Sequence, residues 1–419
     1  MNISPFFKRI NFFIHNKEIY SNYREIKREN KIYDKYLNLN KYNKIKKYAI
    51  EHTVFYKNYS IEDEFPVMSK IDLINNSEII QSNEIFQKDI HYTSTSGSTG
   101  VPFIVKQNRQ KRLRTIADLK VFGEYADYKS HEKMLQLRAY KGNKLDKEKD
   151  RKDNIYRFDI TDLSEVGLNE LFDDIKKIKP KIIFGYVSTL NILSKYIHTN
   201  FPNEEFPYLK SILVGAEALT PEIANQIEKV FGCNVFDRYS NMEMGIYAQR
   251  KYGELFKFNH SSYYLEILKL DSDLLADEGE IGRIVITDLY NKAFPMIRYD
   301  TGDLGTFKLI DDEIFLDKIF GRRVDIIYSP DNNIIDPHVI SKGLWGLNNV
   351  KQWQFIQKNR SLYTVKIVST GIVDENLIIL RLKEILGNSA VIQVDYIDEI
   401  PVLNSQKRKY ILNEWIAKN

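Results

Sequence analysis

The runs Lys181-Ile182-Ile183-Phe184-Gly185-Tyr186 and Ser211-Ile212-Leu213-Val214-Gly215-Ala216-Glu217, followed after one more helix by Val235-Phe236, decide the fold class. Each run is short, apolar and closed by small or polar residues, which reads as a buried strand. Between them the apolar period changes. Leu168, Leu171, Phe172, Ile175 and Ile178 make a helical stripe that ends at Pro180, and Leu190, Ile192, Leu193 and Ile197 make the next. Thr220-Pro221-Glu222 supplies an N-cap, a proline at the first helical position and an acid in the first turn, and Gly232 stops that helix. Strand and helix in alternation predict a parallel sheet covered by helices, with ligands bound at the carboxyl ends of the strands. Gly185-Tyr186, Gly215-Ala216-Glu217 and Tyr239-Ser240-Asn241-Met242-Glu243 all fall at such ends.

Upstream of this body lies Thr93-Ser94-Thr95-Ser96-Gly97-Ser98-Thr99-Gly100-Val101-Pro102. Its glycines free backbone N–H groups to face an anion, and its hydroxyls can donate to phosphate oxygens. Only Ser98 and Thr99 separate Gly97 from Gly100, so it is not the nucleoside-triphosphatase P-loop. Read alone, the same residues also describe a plain surface loop. Residues 1 to about 60 are helical in pattern, and Arg112 to Tyr125 shows Leu113, Ile116, Leu119 and Phe122 at three-residue steps. Residues 141–154 are charge-rich and read as an exposed loop. Beyond residue 260, Tyr263 to Leu268, Gly282 to Thr287 and Thr306 to Ile310 read as antiparallel strands, with Asp300-Thr301-Gly302-Asp303 as a polar turn. A ββαβ unit follows, with strands near 351–357 and 362–368, a helix near 374–386 and a strand near 390–396.

Composition excludes several classes of function. The 61 basic and 57 acidic residues are intermixed, and a net charge of +4 spread this way does not mark a nucleic-acid protein. The single cysteine, Cys233, rules out an intrachain disulfide or a cysteine-based metal cluster and fits a reducing, cytoplasmic setting. Seven histidines are scattered without a His-x-x-x-His pair, no Gly-x-Ser-x-Gly elbow is present, and no apolar run approaches a membrane span. Phe6, Phe7, Ile10, Phe13 and Ile14 recur at helical spacing among Lys8, Arg9 and Lys17. That pattern describes either a helix packed on its own domain or an interfacial one.

Taken in order, the motifs resemble those of the adenylate-forming, acyl-activating superfamily, and within it the phenylacetate-CoA ligase branch and its CapK-like, capsule-biosynthesis relatives. The resemblance covers nearly the whole chain. It is carried by Phe65-Pro66-Val67-Met68-Ser69-Lys70-Ile71-Asp72-Leu73, Thr95 to Pro102, Phe184-Gly185-Tyr186-Val187-Ser188, Gly215-Ala216-Glu217, Tyr239 to Glu243, Arg298-Tyr299-Asp300-Thr301-Gly302-Asp303, Gly321-Arg322 and Lys407. It implies an α/β protein with a large N-terminal domain of helix-covered sheets plus a small β-barrel (1–320) and a small mobile α+β C-terminal domain (321–419). It further implies an ATP- and Mg²⁺-dependent ligase that adenylates a small carboxylic acid. Coenzyme A is the expected acceptor; an amine or hydroxyl of a surface-polysaccharide precursor, or a separate carrier protein, is the alternative. A non-catalytic nucleotide-binding scaffold is the reading from another class.

By the same resemblance Thr95, Ser96, Gly97, Ser98, Thr99 and Gly100 hold phosphates, while Gly215, Ala216, Glu217, Tyr239, Ser240 and Asn241 bind adenine. Asp303 and Arg322 bind ribose, Glu243 ligates Mg²⁺, Tyr186, Ser188, Gly245 and Ile246 line the acyl pocket, and Lys407 is catalytic. Each residue has a plainer reading: Tyr239 as core, Asp303 as a turn residue, Glu243 as a solvated charge or helix N-terminal acid, and His260 as a hydrogen-bonded structural histidine. The chain departs from the family pattern at Gln406, where a glycine is usual before the lysine. Lys409 competes with Lys407 for the assignment, and Val324 stands where an acidic hinge residue is common, with Asp325 one step later. The acid itself and the oligomeric state are not written in these motifs.

Overall fold

The computed structural model describes residues 4–84, 90–95, 103–139, 152–322, 327–335, 337–344, 346–400 and 410–415. Helices α1 (Pro5–His15), α2 (Lys17–Glu29) and α3 (Lys35–His52) come first, and Asp34 opens α3 by accepting from the Leu37 amide. After Pro66, Ser69 and Asp72 form a reciprocal capping box that starts α4 (Lys70–Asn75), and α5 (Ser77–Ile80) follows. Strands β1 (His91–Thr95) and β2 (Phe103–Gln107) pair antiparallel, Thr95 opposite Phe103. Then come α6 (Arg109–Tyr125), β3 (Met134–Arg138) and β4 (Ile155–Asp159).

The alternation is α7 (Glu165–Ile178), β5 (Ile182–Tyr186), α8 (Val187–Asn200), β6 (Ser211–Gly215), α9 (Pro221–Phe231) and β7 (Asn234–Asn241). Thr220 caps α9 by accepting from the Ile223 amide, and Gly232 ends it at φ +64° in the left-handed region. The antiparallel strands are β8 (Gly245–Lys251), β9 (Phe256–Phe258), β10 (Tyr263–Leu268), β11 (Gly282–Asp288), β12 (Tyr299–Ile310) and β13 (Glu313–Arg322). A smaller unit holds β14 (Ile327–Tyr328), β15 (Ile334–Ile335), α10 (Pro337–Gly343), β16 (Val350–Gln357), β17 (Leu362–Ser369), α11 (Glu375–Leu386), β18 (Val391–Tyr396) and β19 (Ile411–Asn413). The C-terminal strand, which the sequence pattern misses, pairs parallel with β16.

Eleven strands form one sheet in the order β10-β11-β12-β13-β9-β8-β7-β6-β5-β3-β4. The half from β4 to β7 is parallel and the rest is antiparallel. The mixed α/β class with a small α+β unit after a large one is what the structure shows; the antiparallel strands join the parallel ones edge to edge through β8 and β9. Asp300 to Asp303 is not a turn between strands but part of β12. Its polarity belongs to a bulge: the register against β11 shifts between Arg283 and Val285, Gly302 sits at φ +78°, and its amide donates to Asp300 Oδ1.

Under the parallel half the core is apolar, with Leu171, Ile175, Leu190, Leu193, Ile212, Val214 and Ile227 fully buried. Helix α6 is different. Leu119 on its apolar stripe is exposed, and the face turned inward carries Lys111, Arg114 and Asp118. Lys111 Nζ meets Asp288 Oδ2 at 2.7 Å with both side chains fully buried, and it donates to the Tyr263 hydroxyl. Arg114 donates to Ser262 Oγ and the Ser261 carbonyl and pairs with Glu25; Asp118 accepts from Asn259 and Ser262. The small unit has its own core of Ile340, Phe355, Tyr363, Val365, Ile378, Leu382 and Leu386.

Candidate active site

Strands β5, β6 and β7 run in register, Tyr186 beside Gly215 and Gly215 beside Arg238, so their carboxyl ends form one ledge. Tyr186 is half-buried there. At Gly215 a Cβ would stand 3.1 Å from the Arg238 carbonyl oxygen, so the ledge is narrow at that point. Ala216 follows at φ +67°, a conformation that costs a non-glycine residue roughly 1–2 kcal/mol and turns the exposed backbone sharply away from the strand. Glu217 points to the next helix: its carboxylate accepts from the Ser188 amide at 2.7 Å and the Ser188 hydroxyl at 3.0 Å, an anion seated on the first turn of α8. Ser188 and Glu217, read as acyl-pocket and adenine residues, are therefore partners of each other.

Tyr239 links the parallel strands to the bulge of β12. Its hydroxyl donates to Asp303 Oδ2 at 2.8 Å and stands 3.2 Å from Thr301 Oγ1. One side of its ring leans on Tyr247 at 5.2 Å and 55°. Burial, and the Asp303 carboxylate next to it, push the phenol well above its ordinary pKa, which keeps the hydroxyl a donor. Asp303 pairs in register with Arg322, of which the backbone alone is described. Ser240 is exposed beside Tyr239.

Glu243 sits neither on a helix nor in solvent. The turn joining β7 to β8 closes with Asn241 opposite Gly245; Asn241 Oδ1 accepts from the Met244 amide at 2.8 Å, and Gly245 takes φ +120°. The Asn241 amide oxygen is thus engaged in the turn. Glu243, at the turn's centre, is 6% exposed, and Lys70 Nζ lies 3.3 Å from its Oε1. Gln107 Nε2 donates to the Glu243 carbonyl, and the Tyr263 hydroxyl donates to that of Met244. A Cβ at Gly245 would meet the Tyr263 hydroxyl at 3.0 Å; Ile246 beyond it is buried.

Lys70 and Gln107 were not among the sequence candidates. The capping box that fixes Lys70 as the first residue of α4 is a readable signal; that this residue faces Glu243 is not. Thr95 closes β1 next to the glycine loop, while Ser96, Gly97, Ser98, Thr99, Gly100 and Lys407 lie outside the described residues, as do Gln406, Lys409, Val324 and Asp325. His260 is a buried structural residue, its Nε2 3.2 Å from the Ile314 carbonyl, and burial lowers its pKa to about 4 against that hydrogen bond. Cys233, pushed up to about 12 by burial and then by Glu228, carries no thiolate at neutral pH.

Among the described residues no group of three or more His, Cys, Asp or Glu side chains could hold a metal. A single buried carboxylate fits Mg²⁺, which takes few protein ligands and completes its shell with phosphate oxygens and water. The close approach at Gly215 and the donor–acceptor pair Tyr239–Asp303 fit a nucleoside at the strand ends.

Solved structures with the same fold include 2-hydroxyisobutyryl-CoA ligase in the postadenylation state with an acyl-AMP, at TM-score 0.70 and 17% identity, covering 91% of this chain and 89% of that one. Anthranilate CoA ligase AuaEII with anthranoyl-AMP superposes at TM-score 0.59 and 15% identity over 77% of this chain and 65% of its own. The fold is that of the adenylate-forming ligases. Residues 327–414 match the CapK C-terminal domain. Protein CapK of Staphylococcus aureus is 24% identical over 84% of this chain and 80% of its own length. Phenylacetate-coenzyme A ligase of Pseudomonas putida is 27% identical over 39% of each chain. The chain is thus similar to CapK over most of its length, and its residues 327–414 match the CapK C-terminal domain.

Proposed function

We propose that the protein is an ATP- and Mg²⁺-dependent ligase that joins a small carboxylic acid to AMP with release of pyrophosphate, then passes the acyl group to coenzyme A. The observation that supports this reading most is the Tyr239–Asp303 hydrogen bond at 2.8 Å, which sets a ribose-type acceptor and an aromatic platform at the strand ends, on the strand that leads into the Glu243 turn. Attack of a carboxylate on a phosphate brings like charges together, so catalysis rests on position and on cations held in advance. Lys70 supplies one such cation beside Glu243, and Lys407 supplies a second from the small unit. Mg²⁺ on Glu243 would neutralise phosphate charge. Asp303 with Arg322 orients the ribose, and Gly215, Ala216 and Tyr239 admit the adenine. Residues 1–320 form the binding domain and 321–419 a domain that rotates between half-reactions in the cytoplasm; the separate core of the smaller unit supports that division.

A different acceptor, the amine or hydroxyl of a surface-polysaccharide precursor, is favoured by one observation: CapK is matched over 84% of the chain, the phenylacetate ligase over 39%. Exchange of labelled pyrophosphate into ATP, screened over carboxylic acids, tests the first half-reaction. Exchange that depends on an acid and is lost in Lys407→Ala supports the reading; ATP binding without exchange for any acid establishes a nucleotide-binding scaffold instead. Coenzyme A consumption coupled to adenylate turnover then separates the acceptors.

A further inference from the structure

Helix α1 is held to the body by one side only. Phe12 and Phe13 pack with Ile19, Ile26 and Ala117, and the Lys120 ammonium lies 3.9 Å from the Phe12 ring centroid. The other side carries Phe6, Phe7, Ile10 and Ile14, which are 55, 63, 40 and 59% exposed. At about 100° per residue these four span an arc of about 100°, the width of a complete apolar face. Tyr20 of α2, its ring 5.1 Å from Phe13, extends the face and is itself exposed.

The margins of this face are basic. Arg9 stands 5.7 Å from the Phe6 ring and Arg24 stands 5.9 Å from the Tyr20 ring. Between Pro5 and Lys31 there are seven Lys and Arg residues against three Glu. All three acids are already paired, Glu18 with Arg109, Glu25 with Lys41 and Arg114, and Glu29 with Lys41. Lys17, Arg24, Arg28 and Lys31 stay exposed. An apolar stripe bordered by cations, on a helix that contains no acid, complements anionic lipid: the rings enter the headgroup boundary and the cations meet phosphates.

We propose that the protein docks on an anionic membrane surface through the Phe6–Phe7–Ile10–Ile14 face of α1, with the basic residues of α1 and α2 against the lipid phosphates. The contact is peripheral, since no helix among the described residues is long and apolar enough to cross a membrane. Either reading formed from the sequence, a packed helix or an interfacial one, describes one side of α1.

Co-sedimentation of the full chain with vesicles tests this. Vesicles of phosphatidylglycerol mixed with phosphatidylcholine should bind the protein at least tenfold more tightly than phosphatidylcholine alone, and binding should weaken as ionic strength rises. The double variant Phe7→Ser/Ile14→Ser should lose about tenfold or more of that affinity while its circular dichroism and Tm stay unchanged, because both side chains are exposed. Replacing Lys17 and Arg24 by Gln should reduce the preference for the anionic vesicles. Absence of binding to the anionic vesicles at low salt, or equal binding by the Ser variant, overturns the proposal. So does a concentration-dependent dimer in sedimentation velocity that the Ser variant abolishes, which assigns the face to a second copy of the chain.

Discussion

Beneath the parallel strands, α7, α8 and α9 meet the sheet mainly through Leu, Ile, Val and Phe and bury no charged side chain there, whereas α2 and α6 meet the antiparallel strands through buried charges and amides. The first arrangement gains free energy with every apolar contact and tolerates repacking. In the second, taking Lys111 and Asp288 out of water costs about as much as their attraction returns, but any other pairing leaves a charge stranded. The difference teaches that the apolar half supplies stability and the polar half supplies register. The Glu243 turn lies at the seam, its flanking carbonyls held by Gln107 and by Tyr263, and Tyr263 also accepts from Lys111.

The largest test of that contrast is Lys111→Met, which strands Asp288 and should cost about 3–5 kcal/mol in denaturant unfolding. Adding Asp288→Asn should restore much of it, since Asn keeps the Oδ1 acceptor used by the Tyr290 and Asn291 amides. Equal loss in single and double variants would show that the pair sets no register. In the apolar half, Leu193→Ala should cost about 3 kcal/mol by the same measurement, and no second substitution should restore it by removing a partner. His260 gives a smaller, pH-dependent effect. Its folded pKa of about 4 lies below the ordinary 6.5, so the folded state binds fewer protons. The contribution is complete above pH 6.5 and is lost as pH falls toward 4, about 2 kcal/mol of it between pH 7 and pH 5. His260→Gln should flatten the difference in Tm between pH 7 and pH 5. The smallest is Tyr239→Phe, which removes the donor to Asp303; kcat/KM for ATP in pyrophosphate exchange should fall about tenfold, with Tm within about 2 °C of the parent.

Much of this architecture was legible beforehand. The period change from Leu168 to Phe236, the Thr220-Pro221 start and the Gly232 stop are local features, and each appears where the pattern puts it. The ββαβ part of the small unit was equally plain, its helix Glu375–Leu386 opened by Asp374. What failed failed for one reason. The three-residue steps of α6 marked a helix, which is there, but not its buried face: beside Ala117 and Phe122 it buries Lys111, Arg114 and Asp118, because Glu25, Asn259, Ser262 and Asp288 wait on other elements to receive them. Asp300 to Asp303 looked like a turn because its residues favour turns, and a strand carries them as a bulge because β11 and β13 pair on either side.

The sequence by itself determined the parallel strands, the helices between them and the order of the motifs, since apolar periodicity and capping act over a few residues. Only the tertiary structure decided that Tyr239 meets Asp303, that Lys70 stands against Glu243, that Glu217 serves Ser188, and that α1 keeps an apolar face outward. Those outcomes depend on partners 29 to 173 residues apart or on what covers a surface, and a buried polar group takes whichever partner the packed chain brings within about 3 Å.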